Sequence, residues 1–588
     1  MSNLLDWEKK FKFKYESPFD LDLYFYGVIL SLVSILVTGY GVYVENQALQ
    51  IPLIHYINNS SLYANDPFGQ TLPYYASVIW YLVALGDRIF PLEPLLFTLF
   101  VVERLLVVFA AGYVAKTFAP QSKLAIVGAM ALFALGLGGP TLGGNALVIN
   151  YFEQTGLSIP FFLLAFAAFY RQNPWLAALW TAIGFNCNSM FGVYTLTYLG
   201  AAFLLDFDYL RHWKKWLLGF GLFLLLASPG IAITLAAFGR EAADKDLWYL
   251  VSQVRFPHHL FPLTWNPIEF GKYGAIAILL LAFLYQNRDR WQKLAKLCNI
   301  WAGISLLWLI YAFVAAYVTK SPSMLVMHPG RAITLWYGIA AIALMCAMAH
   351  KLETTKGTTR RAFWVVMLGA SFLVWYPIIG PFILGAGLIA IAIHPVWYYI
   401  LGRGNGHRIA LLLALWVVFM GLTSVQQRWG KGQSFMSAIF YRPTTTVEQV
   451  ANWAEKNTVT DAVFLVDYGL GWQQFRAQSK RPVFMNWKDG SAILWDRTFV
   501  TSWIERLKAV GFDIAEKGMN LNKAINKLDN LYQKLDDKAV AQLKSRYQID
   551  YWVVPNQKDS NFPTVFKTKA FKVLNLTKMS AEVPTYKF

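Results

Sequence analysis

The sequence predicts a polytopic α-helical membrane protein with a small α/β domain at its C-terminal end, and three observations carry that expectation. Of 588 residues, 56% are hydrophobic and only 15% charged, whereas a soluble chain carries nearer a quarter. Apolar runs close to the length that crosses a hydrocarbon core of ~30 Å recur from about residue 23 to about residue 425. Beyond that point Lys, Asp, Asn and Gln return. There the strand-like runs AVFLVDYG, RPVFMNW and DYWVVP alternate with helical spacing in WIERLKAVGF and AINKLDNLYQKLDDKAVAQLKSRY.

In chain order, the N-terminus MSNLLDWEKKFKFKYE lacks an apolar core followed by a cleavage site, so the first apolar run is expected to stay in the mature protein. About thirteen spans follow, near residues 23–44, 92–117, 124–141, 157–171, 174–188, 190–206, 215–238, 270–286, 298–318, 332–350, 362–378, 381–402 and 408–425. With a cytoplasmic N-terminus, alternate loops gather the cations: Lys9, Lys10, Lys12 and Lys14, then Lys116 and Lys123, Arg171, RHWKK, NRDRWQKLAK, KLETTKGTTRR and GRGNGHR. Cations in short loops at span ends set orientation. The net charge of +18 therefore reads as a topology and anionic-lipid signal, not as a nucleic-acid surface. An odd number of spans divides the chain into a membrane domain, 1–425, and an extracytoplasmic α/β domain, 426–588. The plasma (inner) membrane is the expected location. Cys187, Cys298 and Cys346 lack metal-ligand spacing and read as small core residues.

The outward segments hold the unusual residues. The first, 45–91, opens on Glu45 and contains Asp66; within it QALQIPLIHYI reads as an amphipathic helix lying in the interface. LPYYASVIWYLVALG is too short to cross, and a crossing there would put basic loops outside. The second, GLGGPTLGGNALVINYFEQ, carries Glu153. The third, about 239–269, contains Arg255, His258 and His259 among prolines and aromatics. In the fourth, TKSPSMLVMHPGRAITLW, His328 and Arg331 stand at the mouth of the next span. Two charges lie inside a span, Glu103 and Arg104. As sequence neighbours they do not face each other on a helix, so each is expected to pair elsewhere; His394 reads as a packed core histidine.

An acid shielded at the membrane surface has its pKa raised by desolvation and can take a proton from an acceptor hydroxyl or amide. Arginines such as Arg255 and Arg331 suit a phosphate or diphosphate, because a guanidinium offers forked donors and stays charged. Apolar walls suit a polyprenyl tail, whose burial contributes about 0.8 kcal/mol per methylene.

This layout resembles the GT-C type membrane glycosyltransferases, which use polyprenyl-phosphate or polyprenyl-diphosphate sugars. These share a first span, a long outer loop with a catalytic acid near its start, further spans and often a C-terminal extracytoplasmic domain. The resemblance implies that Glu45, in VENQALQIP, holds the place of the catalytic first-loop acid, with Asp66 in NDPF as a second acid. FLVDYGLGWQQFRAQSKRPVFMNW is also similar to the oligosaccharyltransferase segment Trp-Trp-Asp-Tyr-Gly. It keeps Asp467, Tyr468 and Gly469 but has Leu465 and Val466 for the two tryptophans, which departs from sequon recognition. The family's paired acids for a divalent metal, Mg or Mn, are not evident, so a metal-independent enzyme with a monophosphate donor is favoured.

The resulting expectation is a glycosyltransferase that takes sugar from a polyprenyl-phosphate donor to an extracytoplasmic glycan, lipid or protein. Glu45 and Asp66 would do the chemistry. Arg255, His258, His259, His328, Arg331, Glu153, Asp467 and Tyr468 would bind substrate. Two rivals stand beside it: a lipid or small-solute transporter or flippase, which would show repeated halves around a midplane site, and a non-catalytic membrane assembly protein.

Overall fold

A computed structural model describes residues 20–136, 141–144, 146–355, 406–429, 435–442 and 445–577. Among them the membrane part is a helix bundle: α1 (Leu21–Thr38), α2 (Gln47–Asn58), α3 (Ile79–Asp87), α4 (Leu92–Phe118), α5 (Lys123–Ala134), α6 (Gln154–Tyr170), α7 (Pro174–Cys187), α8 (Ser189–Leu205), α9 (Trp213–Phe238), α10 (Lys245–Arg255), α11 (Pro267–Gln286), α12 (Arg288–Phe313), α13 (Ile333–Thr354) and α14 (Gly406–Trp429). Among the described residues, seven segments are long and apolar enough to cross a membrane, α5, α6 and α8 being shorter apolar helices. Leu217, Leu224, Leu225 and Leu235 of α9 are exposed, an apolar face that water would penalise and lipid would not. The expected spans at 362–378 and 381–402, and His394, lie outside the described residues. Cys187, Cys298 and Cys346 are buried and free.

The first span ends earlier than its hydropathy suggests. Gly39 takes φ +72, and its N–H bonds the Ile35 carbonyl, closing α1 as glycine at a helix end does. Arg428 of α14 donates to the Leu36 and Val37 carbonyls. Residues 40–41 then form β1 (Tyr40–Gly41), parallel to β2 (Phe440–Tyr441), so Glu45 stands beyond a strand, just before the Asn46 N-cap of α2, and not at the end of α1.

Helix α2 is also corrected. It is not laid in an interface with one wet face, because residues Gln47 to His55 are all buried. Its glutamine amide groups donate inside, Gln50 to Gln154 Oε1 at 2.7 Å and Gln47 to the Phe152 carbonyl at 3.4 Å. Helix α3 has nine residues, about 14 Å of rise, too short to span.

Within α4, Arg104 finds no hydrogen-bond partner among the described residues, whereas Glu103 does. Arg104 Nη1 lies 4.0 Å from Glu103 Oε1, its guanidinium sits over Phe100, and none of its N–H groups has a hydrogen-bond acceptor among the described residues. The Glu103 carboxylate instead meets the start of α6 at the Glu153 backbone. Gly156 makes room there, since a Cβ would stand 2.4 Å from Glu103 Oε1.

The C-terminal part contains α15 (Thr445–Asn457), α16 (Phe499–Ala509), α17 (Leu521–Lys534) and α18 (Asp537–Tyr547). They pack around a sheet of β3 (Phe464–Leu465), β4 (Tyr551–Pro555), β5 (Thr564–Lys567) and β6 (Phe571–Asn575), ordered β3-β4-β6-β5. β3 and β4 are parallel and the other pairings antiparallel. Asp536 caps α18 by accepting from the Ala539 N–H at 2.8 Å, which splits the expected long helix in two. The run RPVFMNW makes a single bridge, Val483 to Phe464. Pro482 has no N–H to return to β3, and the Phe484 carbonyl on the other side of the bridge accepts from Arg506, so no ladder propagates. One apolar core runs from Leu49, Ile54 and Phe68 of the first loop through Trp248 to Trp487, Trp503 and Leu528.

Candidate functional site

Where the bundle meets the C-terminal part, a cavity of about 600 Å³ is lined by Glu45, Glu153, Arg255, His258, His259, His328 and Arg331. Every outward segment contributes. Apolar residues of two helices, Met190 and Val193 of α8 and Ala237 and Phe238 of α9, form one flank.

Local backbone explains how these side chains are presented. Glu45 and His328 are held in the left-handed region, at φ 44 and φ 43, a conformation that costs energy in non-glycine residues and gathers at functional sites. Gly143, at φ +78, lies against the Gly330 and Arg331 backbone, where a Cβ would meet Gly330 C at 2.9 Å. That close approach brings the Gly143 carbonyl to His259 Nδ1 at 2.8 Å, while His259 Nε2 stands 2.9 Å from Arg331 Nη2. A carbonyl only accepts and a guanidinium only donates. His259 is therefore the neutral Nδ1–H tautomer, and burial with Arg331 beside it holds its pKa well below the usual range. It thereby holds Arg331, whose Nε has no hydrogen-bond partner among the described residues. His328 Nδ1 is likewise buried without one among the described residues. Burial, with Arg331, Arg255 and Lys488 nearby, pushes His258 down to about 4.

The two cavity acids differ. The Glu45 side chain is 67% exposed, so the expected shielding by α2 does not occur. Glu153 is the buried one: it accepts from Asn46 Nδ2 at 3.0 Å and Tyr151 at 3.5 Å, and burial raises its pKa.

Sequence reasoning passed over Lys488, which the C-terminal part sends into this cavity. Its side chain is 11% exposed, and Nζ stands 3.7 Å from Glu45 Oε2. Burial and Arg255 push its pKa down to about 8 against the pull of Glu45 and Glu153. Arg255 donates to the Trp487 carbonyl at 3.3 Å and Ser491 Oγ at 3.1 Å, tying the third outward segment to the same turn. That turn is fixed by a capping box between Asn486 and Asp489. Tyr75, Tyr151, Asn46, Gln154 and Arg497 line the cavity as well.

The remaining expected site residues lie elsewhere. Asp66 is 2% exposed and paired with Arg476 at 2.7 Å; it accepts the N–H groups of Phe68 and Val483. With its lone pairs so engaged, it joins the first loop to the C-terminal part and does not line the cavity. Tyr468 is fully buried, edge-on to Tyr532. Asp467 Oδ1 accepts the Gly469 N–H at 2.9 Å, the Asx turn that ends β3. Among the described residues no group of three or more His, Cys, Asp or Glu side chains is gathered as a metal would require.

Asp467 also meets the Asp529 carboxyl, and burial together with that neighbour raises its pKa from 3.8 to about 6. The folded chain thus keeps a proton that the unfolded chain has released. The resulting stability is complete below about 3.8 and lost as pH rises through about 6. Asp467→Asn is expected to raise stability above pH 6 by about 1 kcal/mol, after discounting for partial exposure, and to flatten that pH dependence in thermal melts.

Residues 445–510 match the family model of a domain of unknown function, DUF6798. No curated protein matches the chain. Among solved structures, the chain is similar to that of ArnT from Cupriavidus metallidurans in the apo state, at 12% identity over 93% of this chain and 96% of that one, with a TM-score of 0.42. It is also similar to the apo oligosaccharyltransferase of Archaeoglobus fulgidus, at 10% identity over 92% of this chain and 70% of that one, with a TM-score of 0.43.

Proposed function

We propose that this chain is a GT-C type membrane glycosyltransferase, moving a sugar from a polyprenyl-phosphate donor to an acceptor on the extracytoplasmic side. The observation that carries this reading is the single cavity where Glu45 meets Arg255, Arg331 and Lys488 beside an apolar flank of α8 and α9. Cations outnumber acids there, which favours an anionic ligand, and the neighbouring apolar wall favours one with a hydrocarbon tail.

In this reading the donor phosphate lies against Arg331, whose unpartnered Nε is available to it, and against Arg255. Glu45 takes the proton from the acceptor nucleophile as that atom bonds to the anomeric carbon. The bond from that carbon to the phosphate oxygen breaks, and its electron pair stays on the phosphate, where the cations stabilise it. Residues 426–588 would cover the site and choose the acceptor.

The test is transfer of labelled sugar from a polyprenyl-phosphate donor to the lipid or glycan fraction of membranes carrying the chain. Arg331→Met is expected to raise the donor KM about 10- to 100-fold, the effect of losing charge-assisted hydrogen bonds. No transfer by the wild-type chain from any such donor would overturn the reading.

A further inference from the structure

Among the described residues, the one ion pair of Lys488 is with Glu45. Its distance to Glu45 Oε2, 3.7 Å, is too long for a hydrogen bond. The other cavity acid, Glu153, is already engaged by Asn46 and Tyr151. Arg255 beside it is a like charge, with two donors committed to Trp487 and Ser491. The lysine stem is buried and anchored in a capped turn, so Nζ can shift between neighbours while its base stays fixed.

We propose that Lys488 is shared between Glu45 and the substrate phosphate, so that phosphate binding draws the lysine away and releases Glu45 to act as a base. The proposal deepens the donor reading above and rests on it. Without substrate, the lysine ammonium stands 3.7 Å from Glu45 Oε2 and is the nearest cation to that carboxylate among the described ion pairs. When a phosphate in the cavity takes over the ammonium, Glu45 loses its counter-ion and its carboxylate is left free to meet the acceptor's proton. An empty enzyme therefore keeps its base quiet. The lowered pKa of Lys488 agrees with a cation that its resting neighbours satisfy poorly.

Linkage makes the idea measurable without turnover. If phosphate and Glu45 compete for one cation, removing the Glu45 charge must strengthen phosphate binding, and only while Lys488 is present. The experiment titrates farnesyl phosphate into the full chain in detergent by calorimetry, for wild type, Glu45→Gln, Lys488→Met and the double variant. Thermal melts check that each is folded, and Lys488→Gln replaces Lys488→Met if the latter is not. Glu45→Gln is expected to bind about threefold to fivefold tighter than wild type. Lys488→Met should bind about tenfold weaker, and adding Glu45→Gln to it should bring no gain. Equal affinity of Glu45→Gln and wild type, or a gain that survives in the Lys488→Met background, would overturn the sharing and leave the donor reading standing. Failure of the wild-type chain to bind farnesyl phosphate would overturn both.

Discussion

Arg476→Leu is expected to open the contact between the first loop and the C-terminal part at a cost of about 3–5 kcal/mol, the usual price of stranding a buried charge. Arg476 is 2% exposed and donates Nε to Asp66 at 2.7 Å, Nη1 to Asp489 Oδ1 at 2.6 Å and Nη2 to Asp489 Oδ2 at 2.9 Å. Its guanidinium also covers the Phe68 ring. Leucine would leave two carboxylates facing one another without the cation between them. Arg476→Lys should rescue little, because an ammonium cannot supply three donors in a planar fork. A chain of several packed parts need not melt in two states, so local hydrogen exchange is the suitable measurement. Amides of residues 60–72 and 482–495 should lose about 10²–10³-fold protection, while the α4 and α13 amides keep theirs. Unchanged exchange around Asp66 would show that the triad is not what joins the two parts. Because Asp489 already has its pKa raised by burial, acidification protonates it readily, and the deficit should shrink at low pH.

That triad also marks where the sequence stops being readable. Asp66 looks like any acid in an outward loop, since its partner lies 410 residues away and nothing local announces the pairing. Lys488 is one of 52 Lys and Arg residues in a polar stretch. A faint signal is the Asn486 and Asp489 spacing around it, which a capping box explains. By contrast Glu45, Glu153, Arg255, His258, His259 and Arg331 stood out because acids, arginines and paired histidines are unusual in segments that only need to turn between spans, and the cavity brings all six together. Helix positions were legible for a related reason. Hydropathy reports the apolar length of a segment, and α4, α9 and α13 lie close to where it placed them. It does not report a glycine at φ +72, so it ran past Gly39 into β1. Nor does it show whether a glutamine is wet. Gln47 and Gln50 made α2 look amphipathic, although both are buried and bonded inside.

Glu45→Gln is expected to lower kcat for sugar transfer about 10²–10⁴-fold, the range for losing a general base, and to leave the fold intact. The side chain is 67% exposed, with Lys488 Nζ 3.7 Å away, so the amide replaces it without burying anything unpaired. The kinetic pattern separates the roles Glu45 could play. A residue that only helped bind substrate would raise KM and leave kcat alone. Here kcat should collapse while the donor KM stays level or falls, because Lys488 then has no carboxylate competing for it. Glu153→Gln gives the internal control. Glu153 is buried and bonded to Asn46 and Tyr151, so its loss should disturb the cavity wall and affect KM more than kcat. If Glu153→Gln instead reproduced the collapse and Glu45→Gln turned over normally, the base would be the buried acid at the start of α6, and the place of Glu45 beyond the first span would reflect chain layout alone.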